Sequence, residues 1–101
     1  LQIDGSIADV MRPYPIPEKL RAFGFAVAEI DGHDFDAMEA AFTLARETKG
    51  VPFAIVMKTT KGKGVSYMEN QVGWHGKAPN DEEYEQAMTE LKARLAEVEA
   101  M

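Results

Sequence analysis

Two short apolar segments separated by a helix-like stretch limit most strongly what this chain can fold into. Residues 25–30 and 53–57 are strand-like, and the second run is almost continuously apolar, which is typical of a parallel strand covered on both faces. Between them, Asp34 stands where a helix N-cap belongs, and residues 35–48 are predicted to be helical. The order strand, helix, strand predicts an α/β fold built around a parallel βαβ unit.

Helical spacing and capping residues predict three helices. A proline-rich passage, residues 11–17, leads into a short helix at residues 18–23, which Gly24 closes. The crossover helix carries a predicted buried stripe: Met38, Ala41, Phe42 and Ala45. A last helix begins at a capping-box pair, Asn80 and Glu83, and fills residues 80–101. Its apolar face is expected to pack on the sheet or on a partner, and consists of Tyr84, Met88, Leu91, Leu95 and Val98.

The predicted sheet is too small to be stable by itself. Three or more strands are usually needed for independent stability, and only two are predicted here. The chain also lacks an initiator methionine and opens on an apolar residue, Leu1. We therefore predict a partial parallel-sheet domain that is cut from a longer protein, with its missing strands upstream.

Residues 58–79 form a predicted loop of unusual length and composition. The loop contains four of the eight glycines, several lysines, and the chain's single tryptophan beside one of its two histidines. Loops this long are usually functional or disordered. Its first part, Lys-Thr-Thr-Lys-Gly-Lys-Gly at residues 58–64, follows a predicted buried strand, where ligands of open α/β sheets bind. Glycine amides and lysine ammonium groups suit a phosphate, although a solvated turn-rich loop fits the same residues.

The histidines differ in context. His75 lies between Trp74 and Gly76, where an imidazole can donate to a phosphate or move a proton near neutral pH, or simply be a surface residue. His33 lies where a turn enters a helix, and we interpret it as structural. Two histidines so far apart in sequence give little support to a histidine metal site.

Charge and composition exclude several classes of function. The formal net charge is −6, which argues against nucleic acid as the main partner. The absence of cysteine excludes disulfides, thiolate metal sites and cysteine catalysis. No apolar run approaches the roughly 20 residues that cross a bilayer. The first residues have neither the basic region nor the apolar stretch of a signal peptide, so we expect a cytoplasmic protein without a membrane partner.

Taken in order, these segments resemble the N-terminal, diphosphate-binding section of transketolases, above all the bacterial enzymes split into two subunits. Residues 1–5 look like the end of the thiamine diphosphate motif, and residues 23–34 are similar to the next helix, strand and turn. Residues 58–64 and 69–77 match the loop on the phosphate side of the cofactor. The resemblance implies that the whole chain, residues 1–101, is the C-terminal part of this N-terminal domain.

The resemblance also implies roles for single positions. Leu1 matches the residue whose backbone carbonyl binds the divalent metal, Mg or Ca, that bridges the cofactor diphosphate. Ile3 matches an apolar residue packed against the thiazolium ring. Lys61 matches a lysine that contacts thiamine diphosphate. His75 matches a histidine near both the diphosphate and the sugar, where it binds cofactor and acts in catalysis by moving a hydroxyl proton.

The implied reaction moves a two-carbon ketol unit from a ketose phosphate to an aldose phosphate with thiamine diphosphate. The implied partners are sugar phosphates, the missing N-terminal segment, and the C-terminal transketolase half or subunit, in a homo- or hetero-oligomer. Because metal ligands and the glutamate that activates the cofactor are missing, we expect the isolated chain to be inactive. The alternatives are a truncated, non-catalytic interaction module and a section similar to deoxyxylulose-phosphate synthase.

Overall fold

The computed structural model describes residues 5–10 and 13–101. These residues divide into two compact units, which we name by their main feature. The strand unit is Arg12–Thr59, and the loop unit is Leu1–Met11 together with Thr60–Met101. In chain order the elements are α1 (Ile7–Val10), α2 (Ile16–Ala22), β1 (Ala26–Asp31), α3 (Phe35–Glu47), β2 (Phe53–Lys58), a 3₁₀ turn (Val72–Trp74) and α4 (Asp81–Glu99).

The strand unit contains the predicted βαβ motif. Strands β1 and β2 pair in parallel, with Ala26 opposite Phe53 and Asp31 opposite Lys58. Helix α3 connects them, and both α2 and α3 contact both strands. The α/β class and the parallel pairing predicted from the sequence are therefore confirmed, with both strands ending one residue later than expected.

Local capping explains where the helices of this unit begin and end. At the end of α2, the Gly24 N–H donates to the Arg21 carbonyl and the Phe25 N–H to the Leu20 carbonyl. This pair of bonds is a Schellman motif, and it needs the left-handed backbone that Gly24 adopts with φ of 92°. At the start of α3, the Asp34 carboxylate accepts the Ala37 N–H at 3.1 Å. Both caps agree with the prediction from sequence.

The buried stripe of α3 differs from the predicted one at a single position. Ala41 is buried, and Met38 and Ala45 are half-buried, as expected. Phe42 is 45% exposed, so its predicted burial is wrong. Phe42 is exposed because its side chain lies about 100° around the helix axis from that of Ala41, which faces the sheet. A two-stranded sheet is too narrow to cover a side chain so far from the line of contact.

The strands are less covered than their apolar sequences predict. All of β2 from Phe53 to Val56 is only half-buried, and Met57 is 38% exposed. The described residues do not cover this strand on both faces, which agrees with the prediction of a partial sheet domain. Two helices and two strands supply too little surface to enclose a parallel sheet, whose strands are normally buried on both sides.

Helix α4 dominates the loop unit. Asn80 Oδ1 accepts the Glu83 N–H at 2.8 Å, and Glu83 Oε1 accepts the Asn80 N–H at 2.9 Å, which confirms the predicted capping box. Val65 and Ala87 form the buried core of this unit. The predicted apolar face is largely uncovered, since Tyr84, Leu91, Leu95 and Val98 are each 42–54% exposed. Packing of that face on a partner stays a prediction.

No helix among residues 5–10 and 13–101 is both long and apolar enough to cross a membrane.

Candidate functional site

The first part of the loop, residues 61–70, is closed on itself by backbone hydrogen bonds. The Asn70 N–H donates to the Lys61 carbonyl at 2.9 Å and joins the two ends of the segment. Asn70 adopts a left-handed conformation with φ of 56°, which asparagine tolerates better than most residues. Inside the segment, Glu69 Oε1 accepts the Gly64 N–H at 3.1 Å. Lys61 is therefore held at the base of a closed turn.

Lys61 and His75 meet although 14 residues separate them in sequence. The Lys61 Nζ atom lies 3.1 Å from Nδ1 of His75. Lys61 is half-buried, whereas His75 is exposed at the end of the 3₁₀ turn. The structure thus brings together two of the three side chains that the sequence singled out for cofactor contact.

The chemistry of this contact determines which atoms remain available to a ligand. An ammonium group has only donors, so the Lys61–His75 hydrogen bond requires Nδ1 to be the acceptor. The imidazole is then neutral and carries its proton on Nε2. The pair presents further N–H donors from Lys61 and one from Nε2 of His75. A group of donors with a positive charge suits an anionic oxygen ligand.

Lys77, two residues after His75, links the Trp74 ring to the start of α4. The Lys77 ammonium lies 4.4 Å from the centre of the Trp74 ring and 3.6 Å from Oε2 of Glu83. The Trp74 ring also contacts Tyr67, with ring centres 5.2 Å apart and planes tilted by 52°. These contacts combine a cation–π interaction, an ion pair and an aromatic pair around the tryptophan that precedes His75.

The loop docks on α4 through two hydrogen bonds. The Tyr67 hydroxyl donates to the Glu83 carbonyl, and the Ser66 N–H donates to Oε2 of Glu90 at 3.2 Å. Partial desolvation, followed by the negative charges of Glu83 and Glu90, raises the pKa of the Tyr67 phenol above its ordinary value. All three effects disfavour the phenolate, so the neutral hydroxyl remains the donor at neutral pH.

The raised pKa of Tyr67 predicts a loss of stability in alkali. A group whose pKa is higher in the folded than in the unfolded state contributes stability that is complete below the unfolded value, near 10. That contribution disappears as the pH rises through the folded value. We expect the thermal midpoint to fall above about pH 10 and expect Tyr67→Phe to reduce this fall. Midpoints measured from pH 8 to 11 for both proteins test this, and identical alkaline slopes would contradict it.

Gly62 is required by its surroundings. Its φ is 78°, and a Cβ atom there would lie 2.5 Å from the Met68 carbonyl oxygen. Gly76 in the same loop has open space around it and no positive φ. We expect Gly62→Ala to destabilise the protein by about 1–3 kcal/mol, and Gly76→Ala to change stability by at most about 1 kcal/mol in either direction. Urea unfolding followed by circular dichroism compares the two, and equal midpoints would show that the turn at Gly62 is not constrained.

Local charge distinguishes the loop from the rest of the chain. Residues 60–77, which belong to the loop unit, hold three lysines and one glutamate, although the whole chain has a formal net charge of −6. A basic loop on an acidic protein concentrates the attraction for an anion at one place. The loop therefore carries the charge that a phosphate ligand needs.

The outcome differs for the other residues considered in the sequence analysis. Leu1 and Ile3 fall outside the described residues, so their metal and cofactor roles stay predictions. His33 belongs to the strand unit, where its backbone N–H donates to Oδ1 of Asp31 at 2.9 Å in the turn after β1. Across residues 5–10 and 13–101, no three or more His, Asp or Glu side chains are grouped to hold a metal ion.

Sequence reasoning misses Tyr67 and the second function of Glu83. The sequence identifies Glu83 only as a capping residue and does not single out Tyr67. One signal is available, because Tyr67 and Trp74 are the only aromatic residues of the loop apart from the imidazole of His75. Large aromatic side chains in a glycine-rich loop indicate an internal contact more often than full exposure.

The sequence also places this chain in a known family. Residues 1–97 match the family described as transketolase, thiamine diphosphate binding domain. The chain belongs to the transketolase family. Its two parallel strands and helices are an α/β arrangement consistent with part of that thiamine diphosphate-binding domain. The resemblance noted from the sequence is thereby confirmed.

Individual relatives agree with this assignment. The chain is 36% identical over 99 residues to an apulose-4-phosphate transketolase subunit of Phocaeicola vulgatus, and the match covers 98% of this chain and 35% of that protein. It is 36% identical over 92 residues to the 6-deoxy-6-sulfo-D-fructose transketolase subunit SqwG of a Clostridium species, covering 91% and 34%. It is 46% identical over 56 residues to human transketolase-like protein 2, covering 55% and 9%. The chain thus spans about a third of the length of the subunit relatives.

Proposed function

We propose that this chain is part of a transketolase that uses thiamine diphosphate to move a two-carbon ketol unit from a ketose phosphate to an aldose phosphate. The observation that carries the proposal is the contact of Lys61 with His75, at 3.1 Å, within a basic loop of a chain of this family. The donors of this pair fit the anionic diphosphate and the hydroxyl groups of a sugar.

The two side chains have different tasks in this proposal. When bound, thiamine diphosphate supplies the carbanion chemistry of the reaction. Lys61 brings a permanent positive charge to the diphosphate, and it also holds Nδ1 of His75. With Nδ1 occupied, Nε2 of His75 is the ring atom that donates to an oxygen of the diphosphate or the sugar and moves a hydroxyl proton.

The metal and ring contacts of the cofactor remain part of the proposal. We assign the backbone carbonyl of Leu1 to the divalent metal, Mg or Ca, and Ile3 to the thiazolium ring. Both assignments rest on the resemblance of residues 1–5 to the end of the cofactor motif. A carbonyl ligand is compatible with an apolar side chain, because the oxygen belongs to the backbone.

The proposal includes protein partners. Two relatives are named as subunits, which supports a second transketolase subunit as the partner of this chain. Half-exposed apolar side chains on β2 and α4 give such a partner, or further protein of the same chain, surface to cover. We propose that the complete protein is a homo- or hetero-oligomer. Its proposed location is the cytoplasm, which rests on sequence features alone.

One alternative has an observation in its favour. A non-catalytic interaction module would use the same uncovered apolar face of α4, formed by Tyr84, Leu91, Leu95 and Val98. It would not need the Lys61–His75 contact, so retention of that contact favours the enzyme.

The deoxyxylulose-phosphate synthase alternative keeps the same cofactor, but its support is weaker, since the matched family is that of transketolases.

The function is tested by comparing this chain with the complete assembly. We expect the chain alone to show no saturable binding of thiamine diphosphate with Mg at micromolar concentrations, because two side chains of one loop provide too few contacts. Restored to its upstream segment and partner subunit, it should bind the cofactor and transfer two carbons between sugar phosphates. Isothermal titration and a coupled ketol-transfer assay measure these two results.

The outcomes separate the alternatives. Binding near one cofactor per isolated chain would contradict the view that the site is shared with other segments. A complete assembly that binds the cofactor without ketol transfer would support a synthase of the other class. An assembly that forms but binds no cofactor would favour the interaction module.

A further inference from the structure

The segment that carries His75 is flexible by sequence and fixed by its neighbours. Gly73 and Gly76 flank the Trp74–His75 pair, and an added Cβ at either glycine would meet no atom within 4 Å. Glycines without packing partners leave the backbone free to move. The contact between His75 and Lys61 therefore needs support from outside the segment.

That support comes together at one residue of α4. Glu83 Oε2 lies 3.6 Å from the Lys77 ammonium, its Oε1 accepts the Asn80 N–H, and its backbone carbonyl accepts the Tyr67 hydroxyl. Tyr67 and Lys77 both contact the Trp74 ring. Glu83 is thus linked to the two residues that hold the tryptophan next to His75.

We propose that Glu83 is a positioning residue, which holds the imidazole of His75 against Lys61 through Lys77 and Trp74. Only the expected effect of Glu83 on turnover rests on the proposed function. The contacts that hold His75 do not depend on the reaction. The Glu83 side chain is 25% exposed and also fixes the first turn of α4, so its carboxylate is well placed to restrain the more exposed lysine.

The energies of the separate links are small, and their combination matters. An exposed ion pair and an exposed cation–π contact each contribute little when taken singly. Both involve the same Lys77 ammonium, so loss of the Glu83 charge weakens two restraints on one segment. A displacement of about 1 Å at a reacting group can lower a rate by about 100-fold.

The test uses a change that spares the helix cap. Glu83→Gln keeps a side-chain oxygen for the Asn80 N–H but removes the charge that holds Lys77. Glu82→Gln is the matched control, because Glu82 is an exposed neighbour in the same helical turn. The direct readout is the tautomer of His75, measured by long-range ¹H–¹⁵N NMR of the labelled protein, with His33 as the internal reference.

We expect the parent and Glu82→Gln to show His75 protonated on Nε2, and Glu83→Gln to show a mixture of the two tautomers. In the complete enzyme, Glu83→Gln should lower turnover by about tenfold with little change in KM, and Lys77→Gln should add little to that loss. If Glu83→Gln kept both its helix and the single His75 tautomer, the proposal would be overturned. A Glu83→Gln variant that lost thermal stability but kept the tautomer and turnover would overturn it as well. If the parent transfers no ketol group, the function fails, while the tautomer still tests the positioning role.

Discussion

Replacing His75 with alanine in the complete enzyme is expected to lower turnover by roughly 10²–10⁴-fold, the usual contribution of a general acid or base. The expectation follows from the Lys61–His75 contact, which leaves Nε2 as the donor for a ligand oxygen. The measurement is turnover with saturating sugar phosphates and cofactor. Cofactor affinity should fall much less, because a neutral imidazole supplies a single hydrogen bond, worth about 0.5–1.5 kcal/mol.

A matched control is present in the same chain. His33→Ala removes the only other histidine of this sequence, at a turn of the strand unit, and should leave turnover close to that of the parent. If His75→Ala kept turnover within a factor of about two, His75 would be a structural loop residue, because acid–base catalysis is worth far more.

Replacing Lys61 with alanine is expected to weaken thiamine diphosphate binding by roughly 10- to 100-fold. A hydrogen bond to a charged group contributes about 1.5–3 kcal/mol, and each 1.4 kcal/mol corresponds to a factor of ten. Lys63→Ala removes the same charge from the same loop at an exposed position, so it controls for general electrostatic attraction. Isothermal titration of the complete enzyme measures both, and equal losses would assign the effect to net charge instead of to Lys61.

The structure adds a coupling that the sequence does not reveal. Since Lys61 holds Nδ1 of His75, Lys61→Ala should also lower turnover, and the double variant should lose less than the two single losses combined. Independent, fully additive losses in turnover would mean that the 3.1 Å contact has no part in the chemistry.

The elements are predictable where the signal is local. Capping by Asp34, Gly24 and Asn80 depends on residues within one turn of each helix end, so the sequence carries it directly. Burial is less predictable, because it depends on how much surface neighbouring elements provide. Phe42 has the helical spacing of a core residue, but the sheet beneath α3 is two strands wide.

The same division applies to the site. Residue type and resemblance single out Lys61 and His75, and no periodic pattern relates two positions 14 residues apart in an irregular loop. Their contact depends on the closed turn from Lys61 to Asn70 and on the docking of the loop on α4. The contribution of Glu83 is hidden for another reason. A capping box fully accounts for that residue in sequence terms, so nothing indicates a second partner.

The two side-chain contacts of Glu83 have an evolutionary consequence. The same carboxylate completes the capping box at the start of α4 and anchors Lys77, whereas the acceptor for Tyr67 is a backbone carbonyl that any residue would supply. Substitution at this position is therefore constrained by two contacts at once. The length of chain between residues 75 and 83 is constrained as well, because an insertion there would separate the helix start from the loop that it holds. The connection between α3 and β2 carries no such link at Gly50, where a Cβ atom would meet no atom within 4 Å, although the φ of 82° favours glycine. Lineages should accumulate length variation at that connection and conserve the short spacing before α4.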